Sequence, residues 1–207
     1  YIVKAEHRGK GFGLKLWRAA MDRLADRVVG LDGVVAQQEN YRKSGFRLAF
    51  RSIRQRGEGG GAAPPGLADL AAVPIEEILR YDGTAFPAPR AEFLTSWVAQ
   101  PQAVALGVVD GRRLKGYGVL RACREGFKVG PLFADDEETA ERLFAGLIAS
   151  APGAPVFLDT PEANPAAVAL AQRFQMTPVF ETARMYKNGA PQVRPDRCFG
   201  VTTFELG

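Results

Sequence analysis

Between Lys4 and Leu24 the chain reads Lys4-Ala5-Glu6-His7-Arg8-Gly9-Lys10-Gly11-Phe12-Gly13, followed by Leu14, Trp17, Met21 and Leu24 at helical spacing. Three glycines in five positions let the backbone turn tightly and keep its N–H groups open, and the helix that follows adds unpaired N–H groups and a positive dipole end. That pairing of loop and helix start suits a phosphate group. A plain glycine-rich turn ahead of an amphipathic helix would look the same in the sequence. Two common phosphate motifs fail on spacing. There is no Gly-x-x-x-x-Gly-Lys-Ser/Thr, and counting on from Gly9 and Gly11 puts Leu14 where a dinucleotide fingerprint needs its third glycine.

The spacing Arg8-x-x-Gly11-x-Gly13, after the apolar Tyr1-Ile2-Val3, resembles the acetyl-CoA pyrophosphate loop of the GNAT superfamily of N-acetyltransferases. Some thirty residues on, Asn40-Tyr41-Arg42-Lys43-Ser44-Gly45-Phe46 resembles a second signature of that family, a tyrosine four residues before a Gly-Phe pair. The resemblance implies a GNAT fold, acetyl-CoA as co-substrate and no metal. It also implies direct attack of a deprotonated amine on the thioester. Carried over residue by residue, it places cofactor-binding roles at Val3, Arg8, Gly9, Lys10, Gly11, Phe12, Gly13 and Asn40. Tyr41 becomes the acid that protonates the departing thiolate, with a purely covering role over the sulfur as its rival. No general base is assigned. His7 reads as a loop residue, and Trp17 as core.

Composition bounds the class. The 207 residues are 46% hydrophobic and hold no apolar run of membrane-span length, and the first residues carry Lys4, Glu6 and Arg8 in place of an apolar leader. A cytoplasmic, non-membrane protein is expected. Cys123, Cys198 and the lone His7 offer neither a disulfide framework nor a zinc site. Residues 1–58 hold 13 Lys/Arg against 6 Asp/Glu, a balance of +7, and the remainder is −3. A basic half suits the phosphates of coenzyme A and would also suit nucleic acid, but the basic residues are scattered and no nucleic-acid motif accompanies them.

Hydrophobic periodicity gives a helix from Leu14, a strand near Val28–Leu31, a short helix ending at Gly45 and a strand from Phe46. Residues 57–66 are rich in glycine and proline and read as a linker that few contacts cross. Beyond it come helices from Ile75 and after Pro89, a hairpin turning at Asp110-Gly111 and a strand over Phe127–Phe133. Then follow a helix over Glu138–Ser150, a strand from Pro155, a helix from Asn164, and strands over Val179–Tyr186 and Phe199–Phe204. The fold expected is α/β, an α+β mixed sheet of two tandem GNAT-like domains. Residues 1–57 would form the C-terminal half of an acetyl-CoA-binding domain, incomplete at its front by the family's pattern. Residues 58–66 would link it to a second, degenerate domain over 67–207. Gly9–Phe50 and Pro131–Phe180 correspond in role, yet the second copy has Asp135-Asp136-Glu137-Glu138 where a phosphate loop would lie, and Ala171 at the tyrosine position.

Tyr81, Asp82 and Arg90, on or after the first helices of the second part, and Glu181 on a late strand are candidate substrate-binding residues, with structural packing as the rival reading for each. Arg121 and Asp159 are weighed as structural charges. The function expected is acetyl transfer from acetyl-CoA to a primary amine of a small molecule, in a protein that does not bind nucleic acid and could form a homodimer. A non-catalytic acyl-CoA-binding or regulatory protein of the same fold is the alternative.

Overall fold

A computed structural model describes residues 2–206. Its elements run α1 (Phe12–Arg23), β1 (Val29–Val34), α2 (Gln38–Lys43), β2 (Arg47–Glu58), β3 (Ala68–Asp69), α3 (Ile75–Asp82), α4 (Ala91–Val98), β4 (Val104–Asp110), β5 (Arg113–Ala122), β6 (Phe127–Ala134), α5 (Glu137–Ala149), β7 (Pro155–Pro161), α6 (Pro165–Arg173), β8 (Thr177–Lys187) and β9 (Cys198–Gly200). All the described strands join one mixed sheet in the order β1-β8-β2-β7-β6-β5-β4-β3, with β9 paired to β6.

That order interleaves the two ends of the chain. β2 lies between β7 and β8, and β8 lies between β1 and β2, all antiparallel. Two runs with the same sequence of elements, α1-β1-α2-β2 and α5-β7-α6-β8, thus each donate their last strand to the sheet region of the other. This pairing also carries β2 through Gly57 and Glu58, beyond the stretch its apolar alternation marks, because Ser52–Glu58 hydrogen-bond to β7. Residues 59–66 are irregular, as their composition predicts, but contacts do cross them. Gly59 N–H donates to Ala154 O (2.8 Å), Gly60 N–H to Ile148 O (2.9 Å) and Gly153 N–H to Gly59 O (2.9 Å).

Side chains alternate across the strands, so each strand serves both faces. One face of the sheet carries α5 and α6 over Val129, Val156 and Leu158, and also α1 and α2 over Ala183 and Met185. The other carries α3 and α4 over Tyr117, Val119 and Phe133. Glu77 ties α3 to the β4–β5 hairpin by accepting from Leu114 N–H (2.8 Å) and Arg80 (2.6 Å), whose guanidinium holds its carboxyl at about 2.

Three expectations need correcting. The terminal strand stops at Gly200, because the Thr203 hydroxyl accepts from the N–H groups of Glu205 (3.2 Å) and Leu206 (3.1 Å) and turns the chain before Phe204. On α1 the partly buried positions are Gly13, Trp17, Met21 and Leu24, while Leu14 is exposed. Ile2 and Val3 form no strand, and the Val3 carbonyl accepts from Arg8 Nε (3.1 Å); Tyr1 lies outside the described residues.

Candidate functional site

Two of the loop's three glycines take the backbone conformation of a tight turn, and the third, Gly13, lies within α1. Gly9 and Gly11 adopt φ of +75° and +78°, left-handed conformations that a side chain would disfavour, and a Cβ at either would meet nothing within 4 Å. Gly11 is the N-cap residue just ahead of α1, and no side chain caps the helix. The first N–H of this region with a backbone partner is that of Lys15, bonded to Gly11 O (3.1 Å); among the described residues the N–H groups of residues 9–14 have none. The loop therefore offers a run of backbone donors without backbone partners among the described residues, beside the exposed Arg8 and Lys10. Phe12 is half exposed and lies edge-on to His7 at 6.0 Å.

The Tyr-x-x-x-Gly-Phe spacing also has a geometric cause. Gly45 takes φ of +90° just past α2, its N–H bonds to Arg42 O (2.9 Å), and Phe46 N–H bonds to Tyr41 O (3.1 Å). This is a Schellman cap, which needs a left-handed residue after the helix and brings the next residue against the one five positions back. Phe46 accordingly packs near Tyr41, ring centroids 6.5 Å apart, and Trp17 lies 5.7 Å from both rings while donating from Nε1 to Ser44 Oγ (3.0 Å). Tyr41 lies directly over Gly33 of β1, where an added Cβ would come within 2.2 Å of Cε2. Asn40 projects from α2 and donates to Gln37 Oε1 (2.6 Å).

The equivalent places in the second run look different. α5 is capped by Asp136, whose carboxylate accepts from Thr139 N–H (2.8 Å), and Glu137 and Glu138 follow in its first turn. β6 and β7 pair in parallel only over Phe127–Val129 and Val156–Leu158. Where they part, β9 fills the gap. It pairs with β6 at Leu132 and Phe133, Val201 N–H bonds to Asp159 O (3.0 Å), and a Cβ on Gly130 would lie 2.5 Å from Thr202 O.

The other expected substrate residues are engaged with the protein itself. Asp82 takes a two-pronged ion pair from Arg90 (2.6 and 2.9 Å) and a hydrogen bond from Tyr117 Oη (2.5 Å), and Arg90 reaches Thr202 Oγ1 (2.9 Å). Tyr81 Oη donates toward Lys115 O (2.8 Å) and the Asp135 carboxylate (3.0 Å), and burial pushes its pKa far above the usual phenol value. These three shape a wall, since Arg90 stacks on Phe86 at 3.7 Å and the Asp82 carbonyl accepts from Phe86 N–H (2.8 Å). Glu181 projects to the sheet face that carries the helices α1 and α2 and pairs with Arg51 (3.4 Å). The structure brings together Tyr81, Asp82 and Arg90, and leaves Glu181 apart from them.

Phe86 borders a cavity of about 500 Å³. It is lined from β1 (Gly30), β2 (Phe50), β8 (Arg184, Tyr186) and the segment 191–195. Asp32 lies behind Arg184, 3.1 Å from Nη2, with no exposed side-chain surface; burial raises its carboxyl pKa, opposed by the Arg184 charge. Elsewhere Lys128 and Arg54 share the buried carboxylate of Asp159, Arg54 at 2.8 and 2.9 Å. Among the described residues no group of three His, Cys, Asp or Glu side chains is placed to hold a metal, and no helix is long and apolar enough to cross a membrane.

An uncapped helix start after a glycine loop and a mixed sheet carrying helices on both faces are the features to set beside known proteins. The chain belongs to the GNAT acetyltransferase family. A family model described as "Acetyltransferase (GNAT) domain" matches residues 78–200. A holothin acyltransferase of Pseudoalteromonas sp. (strain SANK 73390) is 30% identical over 100% of this chain and 71% of its own length. The structure of a protein described as a "Putative Acetyltransferase" from Pyrococcus horikoshii superposes with a TM-score of 0.84 at 22% identity, over 99% of this chain and 69% of its own. A tandem GNAT protein from the clavulanic acid biosynthesis pathway gives 0.58 at 15% identity, over 92% and 74%. The latter two likenesses concern the fold. The protein is an acyltransferase by its family, and the GNAT family uses acetyl-CoA. The family-model match begins after the loop 8–13, so that loop's ligand rests on its geometry.

Proposed function

We propose that the chain transfers acetyl from acetyl-CoA to a primary amine of a small molecule, using one acetyl-CoA held at the N-terminal run. The observation that carries this reading is the uncapped start of α1, with open N–H groups over residues 9–14 next to Arg8 and Lys10. On this reading the N–H groups of Gly9, Gly11 and Gly13 hold the pyrophosphate, the Val3 N–H polarises the thioester carbonyl, and Asn40 and Phe12 border the cofactor. Tyr41, fixed by Gly33, Trp17 and Phe46, protonates the leaving thiolate, a role its protonated state at neutral pH allows.

The two runs of elements are then tandem GNAT domains, divided at 58–66 and locked by exchange of β2 and β8. The second domain is degenerate: a carboxylate caps its helix start, and its own β9 occupies the gap between β6 and β7. A small-molecule acceptor also agrees with the 30% identical relative, a holothin acyltransferase. A cytoplasmic setting accompanies this proposal.

Release of free thiol from acetyl-CoA, followed over a panel of small amines with mass-spectrometric detection of the acetylated product, tests the reading. At least one amine should give product in step with thiol. Saturable acetyl-CoA binding with no product from any amine would favour a binding or regulatory role.

A further inference from the structure

We infer that the cavity between β1, β8 and segment 191–195 is the acyl-acceptor pocket, shaped for a flat amine of low basicity that carries a carboxylate or carbonyl oxygen facing Arg184. This rests on the acetyl-transfer reading and names the substrate class of that site. Register supplies the first argument. Val29, Leu31 and Gly33 of β1, with Ala183 and Met185 of β8, face α1 and α2, so the alternate positions Val28, Gly30, Arg184 and Tyr186 face the other side, where the cavity lies. The cavity therefore shares β1 with the proposed cofactor machinery while opening on the opposite face, as an acceptor approaching across that strand requires. Its walls come from both ends of the chain, so neither end builds it alone. Gly30 has a purpose here, since a Cβ would lie 2.9 Å from the Tyr186 ring that forms part of the wall.

Chemistry supplies the second argument. The body of the cavity is rings and prolines, among them Phe50, Phe86, Pro161 and Pro195, which suit a flat apolar molecule, and about 500 Å³ is within the size range of small-ligand pockets. The charged side chains lining it are Arg184 and Arg194, both cations. Arg194 is held by Asp196 (2.5 Å) and Arg184 by Asp32, which is buried behind it. Among the described residues the lining thus offers guanidinium donors to an electron-rich oxygen and no side-chain carboxylate to pair with a polyammonium acceptor. Arg184 lines the cavity and pairs with one carboxylate, that of Asp32, and a guanidinium has more N–H donors than one carboxylate accepts, so it retains capacity for a further acceptor.

Among the described residues no side-chain carboxylate lines these walls to hold an ammonium or take its proton. An arylamine-like nitrogen is already neutral at physiological pH and needs neither. In the reaction its lone pair forms the N–C bond, the C–S bond breaks with its electron pair going to sulfur, and the proton lost from nitrogen is balanced by the one the thiolate takes up.

Calorimetric titration of the protein with 4-aminobenzoate, aniline and spermidine tests this directly. We expect saturable binding of 4-aminobenzoate, aniline weaker by about 10-fold for want of the charge-assisted contact, and no binding of spermidine in the cavity. The double variant Asp32→Asn/Arg184→Gln, which removes both charges together, should cost 4-aminobenzoate about 10-fold and aniline little. Val28→Trp, at an exposed rim position, should block both ligands without disturbing the buried pair. Spermidine binding as tightly as 4-aminobenzoate, or 4-aminobenzoate affinity unmoved by Val28→Trp, would overturn the inference. Acetyl-CoA binding without 4-aminobenzoate binding defeats this assignment alone. Binding of 4-aminobenzoate with no acetyl-CoA affinity upholds the ligand class and defeats the transferase reading.

Discussion

Helices α1 and α5 open runs with the same order of elements, yet they begin in opposite chemistry. α1 starts on a left-handed glycine with no side-chain cap, whereas α5 starts on Asp136, whose carboxylate already occupies the Thr139 N–H, with two glutamates behind it. A helix N-terminus favours an anion in either case. In α5 the protein supplies that anion from its own side chains, and in α1 no side chain of the described residues does so, which is what the proposed cofactor site rests on. The far ends of the runs repeat the lesson. α2 and α6 close with the same Schellman geometry, Phe46 N–H to Tyr41 O (3.1 Å) and Met176 N–H to Ala171 O (3.0 Å). The motif needs only a left-handed residue and an apolar follower, and Gln175 at φ +53° serves where Gly45 serves in α2. Backbone order has been kept where hydrogen bonding demands it, while Tyr41, which the cap does not require, has no counterpart beyond the methyl group of Ala171.

Damage to the α1 start should have the largest effect. Gly11→Val places a β-branched side chain at φ +78° and over the donor row, and should weaken acetyl-CoA binding by about 100-fold or more while costing the fold about 1–2 kcal/mol. Calorimetry on the folded variant, with thermal unfolding beside it, separates the two losses. Unchanged affinity would remove the loop from the cofactor site.

Tyr41→Phe comes next. It keeps the ring over Gly33 and removes only the hydroxyl, so kcat should fall roughly 10- to 1000-fold with acetyl-CoA affinity almost constant. Steady-state kinetics with a productive amine, compared with the calorimetric Kd, checks it. A parent-like kcat would make Tyr41 a cover for the cofactor and no more.

Gln175→Gly is the smallest change and concerns only the cap. Glycine relieves the left-handed strain at the end of α6, and its greater freedom in the unfolded chain offsets part of the gain, so stability should rise by up to about 1 kcal/mol. Denaturant unfolding reads the shift. A loss of stability would mean that the Gln175 side chain contributes something the cap geometry does not show.

Much of this was legible because it is local. The glycine loop, the Schellman pair at Gly45-Phe46, the cap at Asn164 and the helices from Ile75 and Glu137 are each written within a few residues of sequence. The exchange of β2 and β8 was not legible, because a strand's alternation does not name its partner; Ser52 pairs with both Pro161 and Thr182, more than a hundred residues away. The same limit hid β9 in the gap between β6 and β7, and the cavity, whose walls are brought together by that exchange. For Asp82 and Arg90 the sequence leaves substrate binding and structural packing as rival readings. Their mutual bidentate pairing and the Tyr117 hydroxyl explain why they are buried, and only the tertiary fold supplies Tyr117.

The central claim is that two similar runs provide one cofactor site. Isothermal titration of the protein with acetyl-CoA tests it most directly. The account predicts saturation at one acetyl-CoA per chain, with that binding lost in Gly11→Val and retained in Asp136→Asn, a change confined to the cap of α5. A stoichiometry of two, or a single site that survives Gly11→Val and fails in Asp136→Asn, would contradict it.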